Sequence, residues 1–229
     1  MPDRNSVRSI AGGIAEISLA INEIFVSIQG ESTWAGYPMV FVRTTGCPLR
    51  CRWCDTEYAF YEGRRWRLPD LVEETCRPGL QLIEITGGEP LAQPGVPPFA
   101  AALLERGKIV LIETSGAYDI SVLPEGTIRI MDLKCPSSQE CERNDFANLD
   151  HLEDGDEIKF VIATREDYDW AVAQIRGKRL AERWPVLLSP VWGELAPHLL
   201  ADWVLADGLP VRLQLQLHKI IWPGVERGI

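Results

Sequence analysis

Short apolar segments with strand character alternate with helical segments along most of the chain. Met39–Thr45 is rich in β-branched residues and predicts a strand, whereas Pro97–Arg106 starts with proline, is followed by Gly107 and predicts a helix. The same pattern predicts further strands over Ile21–Gln29, Leu80–Thr86, Ile109–Glu113, Thr127–Asp132, Glu157–Ile162, Val186–Ser189 and Val211–Leu215. It predicts further helices over Leu68–Cys76, after the capping residue Thr164, and over Leu195–Leu205.

The alternation of strands and helices predicts an α/β fold with a mostly parallel sheet. The sequence contains no internal repeat and no Ser/Gly linker, so we expect a single domain over residues 21–229 preceded by an N-terminal leader over residues 1–20. Ligands in such folds bind at the carboxyl ends of the strands, and the informative motifs of this chain all lie there.

Composition and charge narrow the class of protein. The chain has 229 residues, 46% of them hydrophobic, and a formal net charge of −10. The acidic excess argues against general nucleic-acid binding. The sequence lacks an apolar run of about 18 residues, and its N-terminus is a poor signal peptide. We therefore expect a cytoplasmic protein without a membrane partner, in which cysteines serve metal binding or catalysis.

Three cysteines follow the predicted strand Met39–Thr45. Cys47, Cys51 and Cys54 have the spacing Cx3Cx2C on one loop. Three thiolates without a fourth suit a [4Fe–4S] cube with one open iron. A zinc site completed by Cys135 or Cys141 is the alternative. These two cysteines are otherwise interpreted as structural or incidental, and Cys76 as a buried small residue.

Polar residues follow other strands. Thr86-Gly87-Gly88-Glu89-Pro90 can bring backbone N–H groups close to a ligand, although a plain turn explains it equally well. Arg43 lies within an apolar run, which favours a position at the mouth of the barrel over a surface ion pair. His218 follows the last strand and is either a core residue or a ligand contact.

The cysteine loop resembles that of the radical S-adenosylmethionine (SAM) superfamily. Within it, the segment Gln29-Gly30-Glu31, the ending Cys54-Asp55-Thr56 and the segment Gln216-Leu-His218-Lys219 resemble the 7-carboxy-7-deazaguanine synthases. The resemblance extends from Ile21 to about Trp222. It implies a partial, open β/α barrel of the radical SAM type.

The resemblance also implies an activity. The family converts 6-carboxy-5,6,7,8-tetrahydropterin to 7-carboxy-7-deazaguanine with release of ammonia, in queuosine and 7-deazapurine biosynthesis. The implied cofactors are a [4Fe–4S] cluster, SAM and Mg²⁺. The implied partners are an electron donor such as flavodoxin or ferredoxin and a second copy of the chain in a homodimer.

Specific residues take on roles by the resemblance. The expected cluster ligands are Cys47, Cys51 and Cys54, and the expected Mg²⁺ ligand is Thr56. The expected SAM contacts are Trp53, Cys54, Asp55, Gly88, Glu113, Asp132, Leu133, Lys134 and Ser189. The expected pterin contacts are Ile28, Gln29, Gly30, Glu31, Arg43, Thr86 and His218.

Two other functions remain open at this point. One is a radical SAM activating enzyme that takes hydrogen from a glycyl residue of a partner protein, and the other is a non-catalytic zinc-binding protein. The 29–31 and 216–219 segments argue against the activating enzyme. The shortest relatives end soon after the latter segment, whereas this chain continues to Ile229, so a substrate contact by the terminal carboxylate is not carried over.

Overall fold

A computed structural model describes residues 16–229 of the chain. The strands are β1 (Ser18–Ile28), β2 (Pro38–Thr44), β3 (Arg64–Arg67), β4 (Leu82–Gly87), β5 (Ile109–Thr114), β6 (Thr127–Asp132), β7 (Glu157–Ile162), β8 (Val186–Pro190) and β9 (Arg212–Leu213). The helices are α1 (Leu68–Cys76), α2 (Val96–Glu105), α3 (Arg165–Gly177), α4 (Pro197–Asp207) and α5 (Leu217–Ile221).

The nine strands form one sheet in the order β3-β1-β2-β4-β5-β6-β7-β8-β9. Strand β1 is antiparallel to both of its neighbours, β2 and β3. All pairs from β2–β4 to β8–β9 are parallel. The sheet does not close, since β3 and β9 each have a single neighbour in this order. The predicted α/β fold, an open barrel with a mostly parallel sheet, is therefore confirmed.

The bounds of several elements differ from the prediction. Strand β1 begins at Ser18 rather than Ile21, because Leu19 is fully buried in the core and pairs with Trp66 of β3. Residues 18–20 of the expected leader thus belong to the sheet, and residues 1–15 lie outside the described residues. Strand β9 is only two residues long, and β3 and α5 were not predicted.

The alternation of side chains along β2 builds two apolar clusters. Val40 and Val42 contribute to the main core, which the helices cover, whereas Met39 and Phe41 belong to a second cluster. Because successive side chains of a strand point to opposite faces, the second cluster lies on the other face of the sheet. Phe41 also lines the large cavity described below, so this cluster forms part of the cavity wall.

Capping residues stand at the start of α3 and at the end of α4. Thr164 and Asp167 form a reciprocal capping box at the start of α3. Gly208 follows α4 with a φ of 58°, the left-handed conformation that glycine adopts without a side-chain penalty. Across residues 16–229, every helix falls short of the length and apolarity that crossing a membrane requires.

Candidate active site

A cavity of about 1050 Å³ opens at the carboxyl ends of the parallel strands. Its wall contains nearly all of the residues that the resemblance singled out. These are Ile28, Gln29, Gly30, Glu31, Arg43, Cys47, Cys51, Trp53, Cys54, Asp55, Thr56, Thr86, Gly88, Glu113, Asp132, Lys134, Ser189 and His218. The structure thus brings together residues that are spread over most of the sequence.

Leu133 is the one expected contact that does not line the cavity. Its side chain is fully buried in the main core. Its backbone N–H donates to the carbonyl oxygen of Lys159 at 2.8 Å, which continues the pairing of β6 with β7. The alternation after Asp132 turns this side chain away from the cavity, and the expected SAM contact of Leu133 stays a prediction.

The cysteine loop is held by backbone hydrogen bonds on both sides. The N–H of Gly46 donates to the carbonyl oxygen of Ala59 at 2.8 Å, and the N–H of Arg52 donates to that of Ser138 at 3.1 Å. The Arg50 guanidinium donates to the carbonyl oxygen of Cys47 at 2.7 Å. These contacts fix the course of the loop.

The Gly87-Gly88 turn packs directly against the cysteine loop. A Cβ on Gly88 would lie 2.1 Å from the carbonyl oxygen of Gly46 and 3.1 Å from Cβ of Cys47. Gly87 has a φ of 129°, and a Cβ there would lie 2.3 Å from the backbone N of Thr44. Both glycines are therefore required by close backbone approach, which a plain turn does not need.

The three thiols suit a cluster in which each thiolate binds a different iron. Cys47, Cys51 and Cys54 all line the cavity, and none is fully buried. Burial raises the pKa of Cys51 to about 11, while the nearby Lys134 ammonium opposes this rise. No single-ion site made of three His, Cys, Asp or Glu side chains occurs within residues 16–229. A [4Fe–4S] cube takes one thiolate per iron, so its ligands need not converge on one point.

The other three cysteines stand apart from the cavity wall. Cys135 is 1% exposed and belongs to the main apolar core. Cys76 is partly buried against the same core. Neither Cys135 nor Cys141 is among the residues that line the cavity. Their positions do not support a fourth ligand beside the three thiols of the loop.

Charged groups from β5 and β6 line one side of the cavity. The Lys134 ammonium lies 2.8 Å from Oδ2 of Asp132, and both side chains are largely buried. Oδ1 of Asp132 has no hydrogen-bond partner among the described residues. Thr86 donates its hydroxyl to Oε2 of Glu113 at 3.3 Å. This side therefore offers a hydrogen-bond acceptor and an ammonium to a ligand that carries one positive and one negative group.

The segment after β1 contributes a second set of polar groups. Glu31 accepts hydrogen bonds from the side-chain amides of Gln214 and Gln216, each at 2.9 Å. The amide of Gln29 donates to Oε2 of Glu84. Burial and the carboxylates of Glu113 and Glu31 raise the pKa of Glu84 well above its usual value.

Lys159 on β7 joins the two sets. Its Nζ lies 2.6 Å from Oε1 of Glu113 and 2.5 Å from Oε2 of Glu31. The sequence analysis missed Lys159, Glu84 and Gln214. A signal was present, since Lys159 and Glu84 are charged residues inside apolar strands, the same feature that pointed to Arg43.

Arg43 lies at the cavity and is also ion-paired. Its Nε donates to Oε1 of Glu23 at 2.8 Å, and the guanidinium lies over the rings of Phe25 and Tyr58. The ion pair is largely buried, with the Arg43 side chain 12% exposed. Within the Arg43 guanidinium, only Nε donates a hydrogen bond to the described residues. The two terminal nitrogens have no acceptor among those residues.

Asp55 and Thr56 leave the cysteine loop toward a short 3₁₀ helix, Glu57–Phe60. The ammonium of Lys219 lies 2.8 Å from Oδ2 of Asp55. Desolvation alone would raise the pKa of Asp55, but Lys219 and its hydrogen bond lower that pKa to about 2. The Thr56 hydroxyl makes no capping hydrogen bond, and within the described residues it forms a hydrogen-bond contact with Sγ of Cys54 at 3.8 Å.

His218 is part of α5 rather than the end of a strand, and it faces Gly30. The N–H of Leu217 donates to the carbonyl oxygen of Gly30 at 2.9 Å, which ties α5 to the segment after β1. Burial lowers the pKa of His218, although the Glu31 carboxylate opposes this effect. The imidazole is therefore neutral at neutral pH.

The segment after α5 also reaches the cavity. Arg227 forms an ion pair with Glu62 at 2.8 Å, and its guanidinium lies 4.0 Å from the ring centre of Tyr58. Tyr58 donates to Oε1 of Glu23, the partner of Arg43. The cavity wall thus includes residues 222–227, to which the sequence analysis assigned no role.

Comparison with known proteins agrees with this geometry. The family model described as the Radical SAM superfamily matches residues 41–132, which include the cysteine loop. The chain is 42% identical over 217 residues to 7-carboxy-7-deazaguanine synthase of Chlorobaculum tepidum, which covers 93% of this chain and 99% of that protein. It is 43% identical over 227 residues to the protein of the same name from Koribacter versatilis, with coverage of 92% and 100%.

A solved structure supports the fold. The crystal structure of QueE from Escherichia coli matches with a TM-score of 0.72 at 23% identity, and the match covers 95% of this chain and 100% of that chain.

The open barrel and the three-cysteine loop at its mouth define a radical SAM enzyme. The chain belongs to the 7-carboxy-7-deazaguanine synthase family, to which it is similar over almost its whole length. Such relatives do not favour an activating enzyme for a glycyl partner or a zinc-binding protein. Membership of the radical SAM superfamily implies a [4Fe–4S] cluster and SAM as cofactors.

Proposed function

We propose that the chain converts 6-carboxy-5,6,7,8-tetrahydropterin to 7-carboxy-7-deazaguanine with release of ammonia, as a step of 7-deazapurine biosynthesis. The observation that carries the proposal is one cavity with the cysteine loop on one side and the pair Glu31 and Arg43 on another. The cluster and SAM, when bound, supply the radical chemistry that removes a hydrogen atom from the substrate. The protein binds and orients the cofactors and the substrate, and it excludes water.

The cysteine loop and the strand ends beside it form the proposed SAM side. Cys47, Cys51 and Cys54 would hold the cluster, and the Gly87-Gly88 turn would offer backbone groups to the amino acid part of SAM. Asp132 and Lys134 carry opposite charges, which complement the ammonium and the carboxylate of that part. Trp53, Asp55, Glu113 and Ser189 complete this side of the wall.

The pterin side needs a group for a carboxylate and a group for the ring amine and ring N–H. Arg43 provides the first, because its two terminal nitrogens have no acceptor among residues 16–229 and can form a bidentate pair. Glu31 provides the second, since it is already anchored by two glutamines. Ile28, Gln29, Gly30, Thr86 and His218 surround the same volume.

Thr56 is the proposed protein ligand of a Mg²⁺ ion. Its hydroxyl is a hard oxygen donor without an oxygen or nitrogen partner in the described part of the chain. Mg²⁺ commonly takes one or two protein ligands and completes its octahedron with water and substrate oxygens. After chelation that removes Mg²⁺ but leaves the cluster in place, adding Mg²⁺ back should restore turnover in wild type and not in Thr56→Ala. Full activity of the stripped wild type contradicts the Mg²⁺ site.

The proposal also includes partners and a location. A small electron-transfer protein such as flavodoxin or ferredoxin would reduce the cluster. Exposed apolar side chains on and beside β9 and α5, namely Leu213, Leu215, Ile220 and Ile221, support a homodimer. A reducing cytoplasm suits a protein whose cysteines are all free in the described residues.

Two cysteine variants test the cluster assignment. Cys51→Ala should lose bound iron and all turnover, because two thiolates cannot hold three irons. Cys135→Ala is the matched control, since it also removes a thiol, here from the main apolar core, but keeps the three ligands of the loop. Iron and sulfide content after anaerobic reconstitution decides the matter. Equal loss of iron in both variants would show that the three-ligand assignment is wrong.

The substrate is tested by SAM cleavage. Reconstituted wild type with a reductant should form 5′-deoxyadenosine faster in the presence of the carboxylated tetrahydropterin than without it. The same pterin without its 6-carboxylate should give a smaller acceleration, because Arg43 then lacks its partner. SAM cleavage that is insensitive to either pterin contradicts the proposed substrate.

A further inference from the structure

Lys159 occupies a position between the two halves of the cavity. It lies on β7, its side chain is 8% exposed, and it lines the cavity wall. Its ammonium contacts Glu113 from β5 and Glu31 from the segment after β1, which are 82 residues apart in the chain. No other side chain in the described residues forms ion pairs with both of these carboxylates.

We propose that Lys159 is a positioning residue, whose ammonium fixes Glu31 on the pterin side relative to Glu113 on the SAM side. This inference rests on the proposed function, since it assumes that both ligands bind in this cavity. It assigns a role to a residue that none of the sequence motifs contains.

The hydrogen bonds of Glu31 explain how the positioning works. Each carboxylate oxygen has two acceptor positions. Oε2 accepts from Gln214 and forms an ion pair with Lys159, and Oε1 accepts from Gln216 alone among the described residues. One acceptor position on Oε1 is therefore left for a ligand N–H. Lys159 and the two glutamines hold the carboxylate so that this position is fixed.

The Lys159 ammonium has a donor to spare. An ammonium has three N–H groups; one donates to Oε1 of Glu113, and the ion pair with Glu31 takes up at most one more. The third can reach a ligand in the cavity that Lys159 lines. Losing Lys159 therefore removes the anchor of two carboxylates and one donor at once.

The charged surroundings favour an ionised Lys159. Burial lowers the pKa of a lysine, but the Glu113 and Glu31 carboxylates outweigh burial and hold the pKa of Lys159 well above its usual value. The titratable and charged groups that face it from the elements around it are Glu31, Arg43, Glu84, Glu113, Asp132, Lys134 and His218, with Asp55 and Lys219 at the mouth.

The first test compares Lys159→Met with Lys178→Met, which removes an exposed lysine near Phe146 outside the cavity. The KM for the pterin should rise about tenfold or more in Lys159→Met and stay unchanged in Lys178→Met, since hydrogen bonds to charged groups are strong. Lys159→Arg keeps the cation and should recover part of the loss. An unchanged pterin KM in Lys159→Met overturns the proposal.

The pH profile separates positioning from general damage. Without the ammonium, the buried carboxyl groups around position 159 take up protons more readily. The pterin KM of Lys159→Met should therefore fall as the pH is raised, whereas that of wild type should stay level over the same range. A raised KM that is independent of pH in Lys159→Met means a merely structural role.

A double variant distinguishes the loss of the Glu31 anchor from a change in the net charge of the site. Lys159→Met with Glu113→Gln removes one positive and one negative charge, so the net charge of the site is kept. Pterin affinity, measured anaerobically by fluorescence titration, should still be about tenfold weaker because Glu31 has lost its anchor. Wild-type affinity in the double variant shows that Lys159 only balances charge. If wild type itself does not turn over the pterin, the proposed function fails instead.

Discussion

Gly30 and His218 are packed so closely that a side chain at position 30 would displace the histidine. A Cβ on Gly30 would lie 2.1 Å from Nδ1 of His218 and 2.9 Å from its backbone N. The second distance involves backbone, so rotation of the imidazole alone cannot relieve the contact. The position of α5 at the cavity thus depends on the absence of a side chain at residue 30.

Gly30→Ala should therefore shift α5 and weaken pterin binding. We expect a loss of stability of about 1–3 kcal/mol from overpacking and a rise in the pterin KM of about tenfold. Gly177→Ala is the control, since a Cβ there meets nothing within 4 Å. Thermal unfolding and steady-state kinetics measure both effects. Equal kinetics of the two variants would show that α5 does not depend on Gly30.

Gly88→Ala should act on the cluster rather than on the pterin. The added Cβ would collide with the Gly46 carbonyl and press on Cys47, so the cysteine loop has to move. We expect a strong loss of bound iron after reconstitution, with Gly177→Ala again as control. Iron content equal to wild type in Gly88→Ala contradicts the close packing of the turn and the loop.

Arg43→Ala should weaken pterin binding and spare cluster assembly. A charge-assisted pair is worth about 1.5–3 kcal/mol, which corresponds to a rise in pterin KM of about tenfold or more. Glu23 loses its partner in this variant, so Glu23→Gln should be measured beside it to isolate that effect. An unchanged pterin KM in Arg43→Ala would remove this residue from the binding site.

The neutral state of His218 predicts a pH dependence. Burial lowers the pKa of His218, so protonation begins only below the range of an ordinary histidine, about pH 6.5. The pterin KM should be level above that pH and rise on acidification, because a third positive charge then forms beside those of Lys219 and Lys159. His218→Gln should lack this acid limb. The same limb in His218→Gln would assign it to a group other than this imidazole.

Local rules predicted most of the fold. The capping pair Thr164 and Asp167 and the β-branched run of β2 determine their elements almost alone, so they were predicted correctly. Strand β3 and helix α5 were missed because tertiary contacts define them. Trp66 pairs with Leu19 across the sheet, and α5 is tied to Gly30 by a backbone hydrogen bond.

The sequence predicted the motif residues of the site better than their partners. Cysteine spacing and glycine pairs are local, whereas the network of Glu31 joins residues more than 120 positions apart in the chain. Only the register of the sheet decides that Lys159 faces Glu113. The available signal is a charged residue within an apolar strand. Both Arg43 and Lys159 show it, and the sequence analysis uses it only for Arg43.

Product identification tests the central claim most directly. Reconstituted wild type is incubated without oxygen with SAM, a reductant, Mg²⁺ and 6-carboxy-5,6,7,8-tetrahydropterin, and the products are analysed by mass spectrometry. The account predicts 7-carboxy-7-deazaguanine and an equal amount of ammonia, with neither formed by Cys51→Ala. Consumption of SAM by iron-loaded wild type without this product, or formation of the product by Cys51→Ala, would contradict it.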